Sequence, residues 1–332
     1  MYTDMVLRAA GGWRAAEERW GRRVLHRTGA LYMFEGDDAF ARRSLPLARE
    51  RGITVEPLAL EEARRRFPQI RFTEVRTVYW EPEAGYLLAR ESCELVREEF
   101  IRSGGTWQVA SVKPGAFEGG RMVSVHLSNG DRLEADAFVF ACGPWLGKLF
   151  PDTVGDGIVP TRQDVVYFGT PPGDQRYDET RFPVWMNFGA RLLYGIPGNE
   201  RRGFKVADDS AGEPMDPTTL DRVVTAKAMR IARAILARRF PGLVGAAVAE
   251  TRVCQYEFSP TGDFLLDRHP GASNAWLVGG GSGHGFKMGP AVGDDVAALV
   301  LDRTPTATRF SYARFKEARA ARRKGTGKRT HS

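Results

Sequence analysis

The chain has 332 residues, 42% hydrophobic and 27% charged, as in an ordinary globular protein with room for one large core or two domains. No apolar run approaches the roughly 18 residues of a membrane span, the first residues have no signal-peptide layout, and the widely spaced Cys93, Cys142 and Cys254 suit reduced cytoplasmic thiols better than a disulfide framework or a zinc site. The net charge of +7 does not argue for nucleic acid, because residues 313–332 hold eight Lys/Arg and one Glu, leaving 40 against 40 over residues 1–312.

Residues 4–22 read as an amphipathic helix with no strand and no cap before it. "TGALYMF" (28–34) is a strand, and the following helix is opened by Asp37/Asp38 and closed by Gly52. A short helix then stops at Pro68, and residues 75–89 give a strand, a turn at Glu81-Pro82 and a return strand. Helix 90–105 ends at Gly104-Gly105, and "TWQVASVKPG" leads back to a strand. A hairpin turns at Asn129-Gly130, a dipeptide favoured in such turns. The run Ala137–Ala141 reads as a strand buried on both faces, ending at Gly143-Pro144-Trp145. Residues 160–210 are strand-rich, and 216–242 read as one long capped helix. "ETRVCQYEF" is a strand, and "AWLVGGGSGHGFKMGPAVG" is a strand, a glycine turn and a helix start. The basic residues 313–332 read as a solvated, disordered tail.

Strand–helix units at both ends around a strand-rich block predict an α/β fold interrupted by a second, β-rich domain. The glycine turn resembles a phosphate cradle, yet the chain holds no G-x-G-x-x-G. Backbone N–H groups at a glycine turn opening a helix stabilise any negative charge placed there, phosphate or not.

The block from "CQYEFSPTGDFLLDRHP" through "WLVGGGSGHGFKMGPAVGDDVAALVL" resembles the C-terminal signature of the monomeric sarcosine oxidase and N-methyltryptophan oxidase family. These belong to the D-amino-acid-oxidase-like, FAD-dependent oxidoreductases. "WEPEAGYLL", "FACGPWLGKLFP", "TRQDVVYF", "YGIP" and "GFKV" fit in the same order, so the likeness runs from Tyr2 to about Leu301. It implies a doubly wound FAD-binding domain, interrupted by a mixed α+β substrate domain with a large antiparallel sheet. The expected boundaries are 1–27, 87–157 and 262–312 for the first and 28–86 and 158–261 for the second. It also implies an FAD enzyme that oxidises the C–N bond of a small amine or amino acid and passes electrons to dioxygen, giving hydrogen peroxide. Because the amine must be neutral to give hydride, an alkaline optimum is expected. Alternatives are a dehydrogenase of the same fold that uses a quinone or protein acceptor, or a non-catalytic remnant.

Residue by residue, Cys254 matches the cysteine that in this family is joined to the flavin 8α-methyl, although by itself it reads as a buried strand thiol. Tyr256, two positions on and on the same strand face, matches an active-site tyrosine. His284 matches the active-site histidine, and Lys287 the lysine that meets the substrate carboxylate. Lys205 matches a lysine beside the flavin that activates dioxygen. Val112, Gly143, Trp145, Gly281, Gly283, Gly285 and Lys287 are the expected cofactor contacts, and no metal or nucleic-acid site is expected. His269 and the Asp263/Asp267 pair read as structural.

Two departures stand out. The family begins with a strand, a G-x-G-x-x-G turn and a helix that hold the nucleotide, and this sequence starts roughly 60 residues into that pattern. A misplaced start or a fragment is expected, with the strands "DAFVFA" and "AWLVGG" either flanking an empty lane or collapsed on each other. The second departure is Asp209, four residues after Lys205, where sarcosine oxidases carry a histidine. A carboxylate there favours a cationic or hydrogen-bond-donating substrate group.

Overall fold

The computed structural model describes residues 1–199, 202–210 and 212–325. Its centre is an eight-stranded mixed sheet in the order Val248–Phe258, Val159–Phe168, Phe204–Asp208, Leu192–Gly195, Val184–Phe188, Ala30–Phe34, Thr77–Glu81 and Glu56–Pro57. Every neighbouring pair is antiparallel except Val184–Phe188 with Ala30–Phe34. Side chains alternate across a strand, so one sequence supplies two faces. Val166, Phe168, Leu193, Phe204 and Val206 point to one side, where they pack with Trp185 against Ala232, Ile235, Leu236 and Phe240 of the covering helix segment. The opposite face carries Tyr256, Cys254, Gln163, Tyr167 and Lys205, as the cross-strand pairs Tyr256–Thr161, Cys254–Gln163 and Lys205–Tyr167 require.

That second face looks toward the chain's two ends. The N-terminal helix Tyr2–Trp20 buries Met5, Ala9, Trp13 and Ala16, one stripe at helical spacing, and stops at Gly21 in the left-handed conformation. It lies against the helix Gly289–Val300 so closely that a Cβ on Gly12 would sit 2.6 Å from the Pro290 ring. The Trp13 indole donates to the Lys287 carbonyl (2.9 Å), and Arg8 grips Asp295 with two 2.8 Å hydrogen bonds.

Several elements differ from the sequence expectation. The return strand Gly85–Leu87 pairs with Leu25–Arg27 rather than with Thr77–Glu81, whose partners are Ala30–Phe34 and Glu56–Pro57. The segment 216–242 is helical only over Ala226–Arg239. Asp216 accepts the Thr218 amide and the Lys148 ammonium, fixing a turn beside Pro217, and the Thr225 hydroxyl caps the helix by accepting from the Ala228 N–H. The strand Phe138–Phe140, at the edge of a three-stranded sheet, is buried on one face only, with Val139 46% exposed on the face that no layer covers. It pairs directly and in parallel with Ala275–Gly279, Phe138 opposite Ala275, so no lane separates them. The hairpin over Asn129-Gly130 forms between Ser124–Leu127 and Arg132–Glu134 as expected.

The expected disordered tail 313–332 is instead helical over its described part, Tyr312–Arg323. Ser311 caps this helix, Phe315 is buried in a core with Phe150, Val154 and Leu277, and Arg319 and Arg323 close on Asp156. A buried aromatic and paired arginines outweigh the basic composition; residues 326–332 lie outside the described residues. Among the described residues no helix is long and apolar enough to cross a membrane.

Candidate active site

The glycine turn follows the strand Ala275–Gly279 and bends back over the end of Val248–Phe258. Gly281 N–H donates to Glu257 Oε1 (3.1 Å) and Ser282 N–H to the Glu257 carbonyl (3.2 Å). Ser282 adopts φ 45° and Gly283 φ 85°, both in the left-handed region. A Cβ on Gly283 would lie 2.6 Å from the Tyr256 ring, so only glycine lets the turn reach that tyrosine. The Gly283 and Gly285 amides donate to no acceptor among the described residues and stand at the entry to the Gly289–Val300 helix.

Between this turn, the sheet face and the N-terminal helix lies a cavity of about 950 Å³. Asp209, Tyr256, Ser282, His284 and Lys287 line it together with Tyr2, Tyr32, Phe40, Asp263 and Arg309. Tyr256 Oη donates to Asp209 Oδ1 at 3.0 Å. Burial pushes the Asp209 carboxyl above its usual range, against the opposing pull of the Tyr256 hydrogen bond and the Lys287 charge. Burial, with the Tyr194 and Asp209 oxygens beside it, holds the Tyr256 phenol far above its ordinary value, so it stays protonated. Lys287 is reached through the cavity yet crowded by protein on its other sides; that desolvation lowers its ammonium, and Asp209 partly restores it.

His284 Nε2 donates to the Gly262 carbonyl at 3.1 Å, and because a carbonyl can only accept, the ring proton is assigned to Nε2 and Nδ1 is left as an acceptor. Burial lowers its pKa, keeping the ring neutral. Tyr2 and Phe264 hold it edge-on, with ring centroids at 5.3 and 5.5 Å.

Lys205 lies further along the same sheet face, outside the cavity lining. Its Nζ donates to Tyr194 Oη at 3.5 Å and sits 4.7 Å from the Tyr194 ring centre. Burial works to depress its ammonium, but the oxygens of Tyr194 and Tyr167 and the Cys254 sulfur offset that and hold it above the ordinary lysine value. Tyr194 also bears on the Tyr256 phenol electrostatically, so polar groups follow one another along this face from Lys205 and Tyr194 to Tyr256 and Asp209. Tyr194 was not singled out in the sequence; its place opposite Ala207, two positions from Lys205, becomes visible only with the strand register. Cys254 is exposed on this face, not a buried thiol, and all three cysteines are free.

Of the other expected contacts, Gly143 and Trp145 form a short 3-10 turn, where the Trp145 indole donates to Thr218 Oγ1 at 3.1 Å. Val112 belongs to the separate sheet with Ser124–Leu127 and packs on its core, away from the cavity lining. Asp263 is held by Arg309 and Arg314, Asp267 by Thr306 and the Tyr312 amide, and His269 by Thr153 and the Gly271 amide, all structural roles.

A family model described as FAD dependent oxidoreductase (DAO) matches residues 1–299. The chain belongs to this family. It is 28% identical over 307 residues to the monomeric sarcosine oxidase of Bacillus sp. (strain B-0618), covering 90% of this chain and 77% of that protein. It is 27% identical over 324 residues to the N-methyl-L-tryptophan oxidase of Salmonella arizonae, covering 95% and 84%. Its fold is that of L-proline dehydrogenase from P. horikoshii, with TM-score 0.82, 20% identity and coverage of 94% and 83%. Glycine oxidase from Bacillus cereus shares it too, with TM-score 0.74, 17% identity and coverage of 91% and 80%. The cofactor of this FAD-dependent oxidoreductase is therefore FAD, and the donor set fits it. The open amides of Gly283 and Gly285 and the Lys287 ammonium offer positive potential to an electron-accepting ring. The cavity also falls within the size range of small-molecule sites.

Proposed function

We propose that this FAD enzyme oxidises the carbon–nitrogen bond of a small amine or amino acid and returns its electrons to dioxygen as hydrogen peroxide. The observation that carries this reading is that a carboxylate (Asp209, hydrogen-bonded to Tyr256) and an ammonium (Lys287) line the same cavity, complementary to the amine and acid ends of an amino acid. The names of the relatives, sarcosine oxidase and N-methyl-L-tryptophan oxidase, support the same substrate class. When bound, FAD supplies a two-electron acceptor for the hydride on the carbon next to nitrogen.

The chain's own groups then divide the remaining tasks. Lys287 binds the substrate carboxylate, and neutral His284, fixed by Gly262, offers Nδ1 as an acceptor at the cavity wall. The phenol of Tyr256 orients the Asp209 carboxyl. Lys205, kept cationic beside Tyr194, presents a fixed charge to dioxygen as it takes on electrons, a form of preorganised electrostatic stabilisation. Cys254, free and exposed on the same sheet face as Tyr256 and Lys205, is the residue that attaches the flavin covalently.

The test is direct. FAD-loaded protein mixed anaerobically with amino acids should lose its yellow colour, and admitting air should restore it with one peroxide per substrate. Colour restored without peroxide would indicate a dehydrogenase instead. Acid precipitation should leave the wild-type pellet yellow and release the flavin of Cys254→Ala; equal release from both would refute the covalent link.

A further inference from the structure

We infer that Asp209 is the base that takes the proton from the substrate ammonium, so that the enzyme binds an amino acid as the zwitterion and makes it neutral inside the cavity. The inference rests on the amine-oxidation reading above and assigns it a proton acceptor. An aliphatic ammonium has a pKa near 10, so at pH 7 only about one amine in a thousand is neutral in solution. Nitrogen must hold a free lone pair before the adjacent carbon can give up hydride. A site without a base must wait for that rare form.

Two carboxylates line the cavity, and one of them, Asp263, is already held by Arg309 and Arg314. Asp209 lines the cavity, and its Oδ1 is occupied by the Tyr256 hydroxyl at 3.0 Å, whereas Oδ2 has no partner among the described residues. With an ammonium N–H donated to Oδ2, the substrate carboxylate is left for Lys287, the ammonium that lines the same cavity. The N–H bond breaks with its electron pair remaining on nitrogen, an O–H bond forms on Oδ2, and no further reactant is needed. His284 is a poorer acceptor, because burial and the Lys287 charge disfavour its cationic ring more than Asp263 and Asp209 favour it. Lys205 and Lys287 carry protons already, and Tyr256 and Tyr194 are phenols held protonated or engaged with Lys205.

The surroundings suit a base that must also let go. Burial raises the Asp209 carboxyl, as does the neighbouring Asp208, whereas Tyr256, Lys287 and Lys205 favour its charged form. Asp209 and Asp263 in turn favour the charged form of His284, and Lys287 opposes it. Together these leave a carboxylate more basic than one in water, closer to the ammonium it serves.

The experiment follows anaerobic flavin bleaching by an amino acid from pH 6 to 10.5 in wild type and Asp209→Asn, and reads the second-order rate of reduction. Wild type should change little down to pH 6. Asp209→Asn should fall about tenfold per pH unit below the amine pKa, reaching about 100-fold or more below wild type at pH 7 and converging above pH 10. Parallel profiles overturn the assignment. Bleaching of neither protein by any amine overturns the amine-oxidation reading itself, and this inference with it. A second measurement needs only wild type. The probe is 2-aminoisobutyrate, which has no hydrogen on the carbon bonded to nitrogen, and its binding heat is measured at pH 7 in two buffers of different ionisation enthalpy. Binding as a zwitterion releases close to zero protons to solvent. Release of about one proton per probe, or no binding at millimolar probe, refutes the inference even if Asp209→Asn does not hold its flavin.

Discussion

Asp208 and Asp209 are sequence neighbours that face opposite sides of one sheet. Asp208 accepts from Arg191 at 2.6 Å beside the Ala226–Arg239 helix, on the side whose interior is Trp185, Phe204 and Phe240. Asp209 faces the cavity with Tyr256 and Lys287. On the first face the aromatic rings lie 4.8 to 6.0 Å apart between centroids and exclude water. On the second, polar groups stand in a row with an open volume before them. A two-residue period thus separates stability from chemistry within single strands. A substitution's effect should depend on which face it touches more than on its distance from the cavity.

The largest expected effect lies on the packed face. Trp185 is fully buried, stacked on Phe204 and tilted against Phe240. Trp185→Ala should cost about 3–5 kcal/mol of unfolding free energy. Tyr256→Phe, which keeps the ring and loses one hydroxyl, should stay within about 1.5 kcal/mol of wild type. Urea unfolding of the FAD-loaded proteins measures both, and equal losses would erase the distinction between the faces.

On the polar face the effect should appear in rates. Lys205→Met should slow reoxidation of the reduced enzyme by dioxygen by about 100-fold, the scale of one preorganised charge. Reduction by substrate should change much less, since Lys205 lies outside the cavity lining. Stopped-flow measurement of the two half-reactions separates them, and an unchanged reoxidation rate would remove Lys205 from the oxygen reaction.

Much of this division was legible in the sequence. The spacing Cys254–Tyr256 put both residues on one strand face, and the "SGHGFK" turn brought His284 and Lys287 to the same cavity. The pairing of Tyr194 with the Lys205 strand was not legible, because register depends on partners far along the chain. The exposure of Val139 was missed for a related reason: an apolar run shows which residues prefer burial, not whether a layer covers both faces. The C-terminal helix was missed because charge counting ignores Phe315, whose burial, with Asp156 waiting for Arg319 and Arg323, decides the segment. Helix length at 216–242 failed on local competition, the Asp216 and Thr225 side chains claiming backbone amides before the helix could start.

The smallest expected effect comes from Asp208, and it tests the comparison most sharply. Its ion pair with Arg191 is partly exposed, with Arg191 43% accessible, so it contributes about 0.2–1 kcal/mol, less at high salt. Asp208 Oδ1 also accepts the Ser210 amide at 2.9 Å, which steadies the backbone just beyond Asp209. Asp208→Asn retains an oxygen for that amide and removes only the charge. It should therefore lower stability by less than about 1 kcal/mol in low salt, with no difference from wild type in 1 M salt. Asp208 only adds to the raised Asp209 carboxyl, so Asp208→Asn keeps the proton acceptor and should move the pH profile of flavin reduction slightly, in contrast to Asp209→Asn. Asp208→Ala removes the amide's acceptor as well, and any change in reduction rate seen there but not in Asp208→Asn would be transmitted by backbone position. A pH profile changed by Asp208→Asn as strongly as by Asp209→Asn would mean that the sheet couples the two faces rather than insulating them.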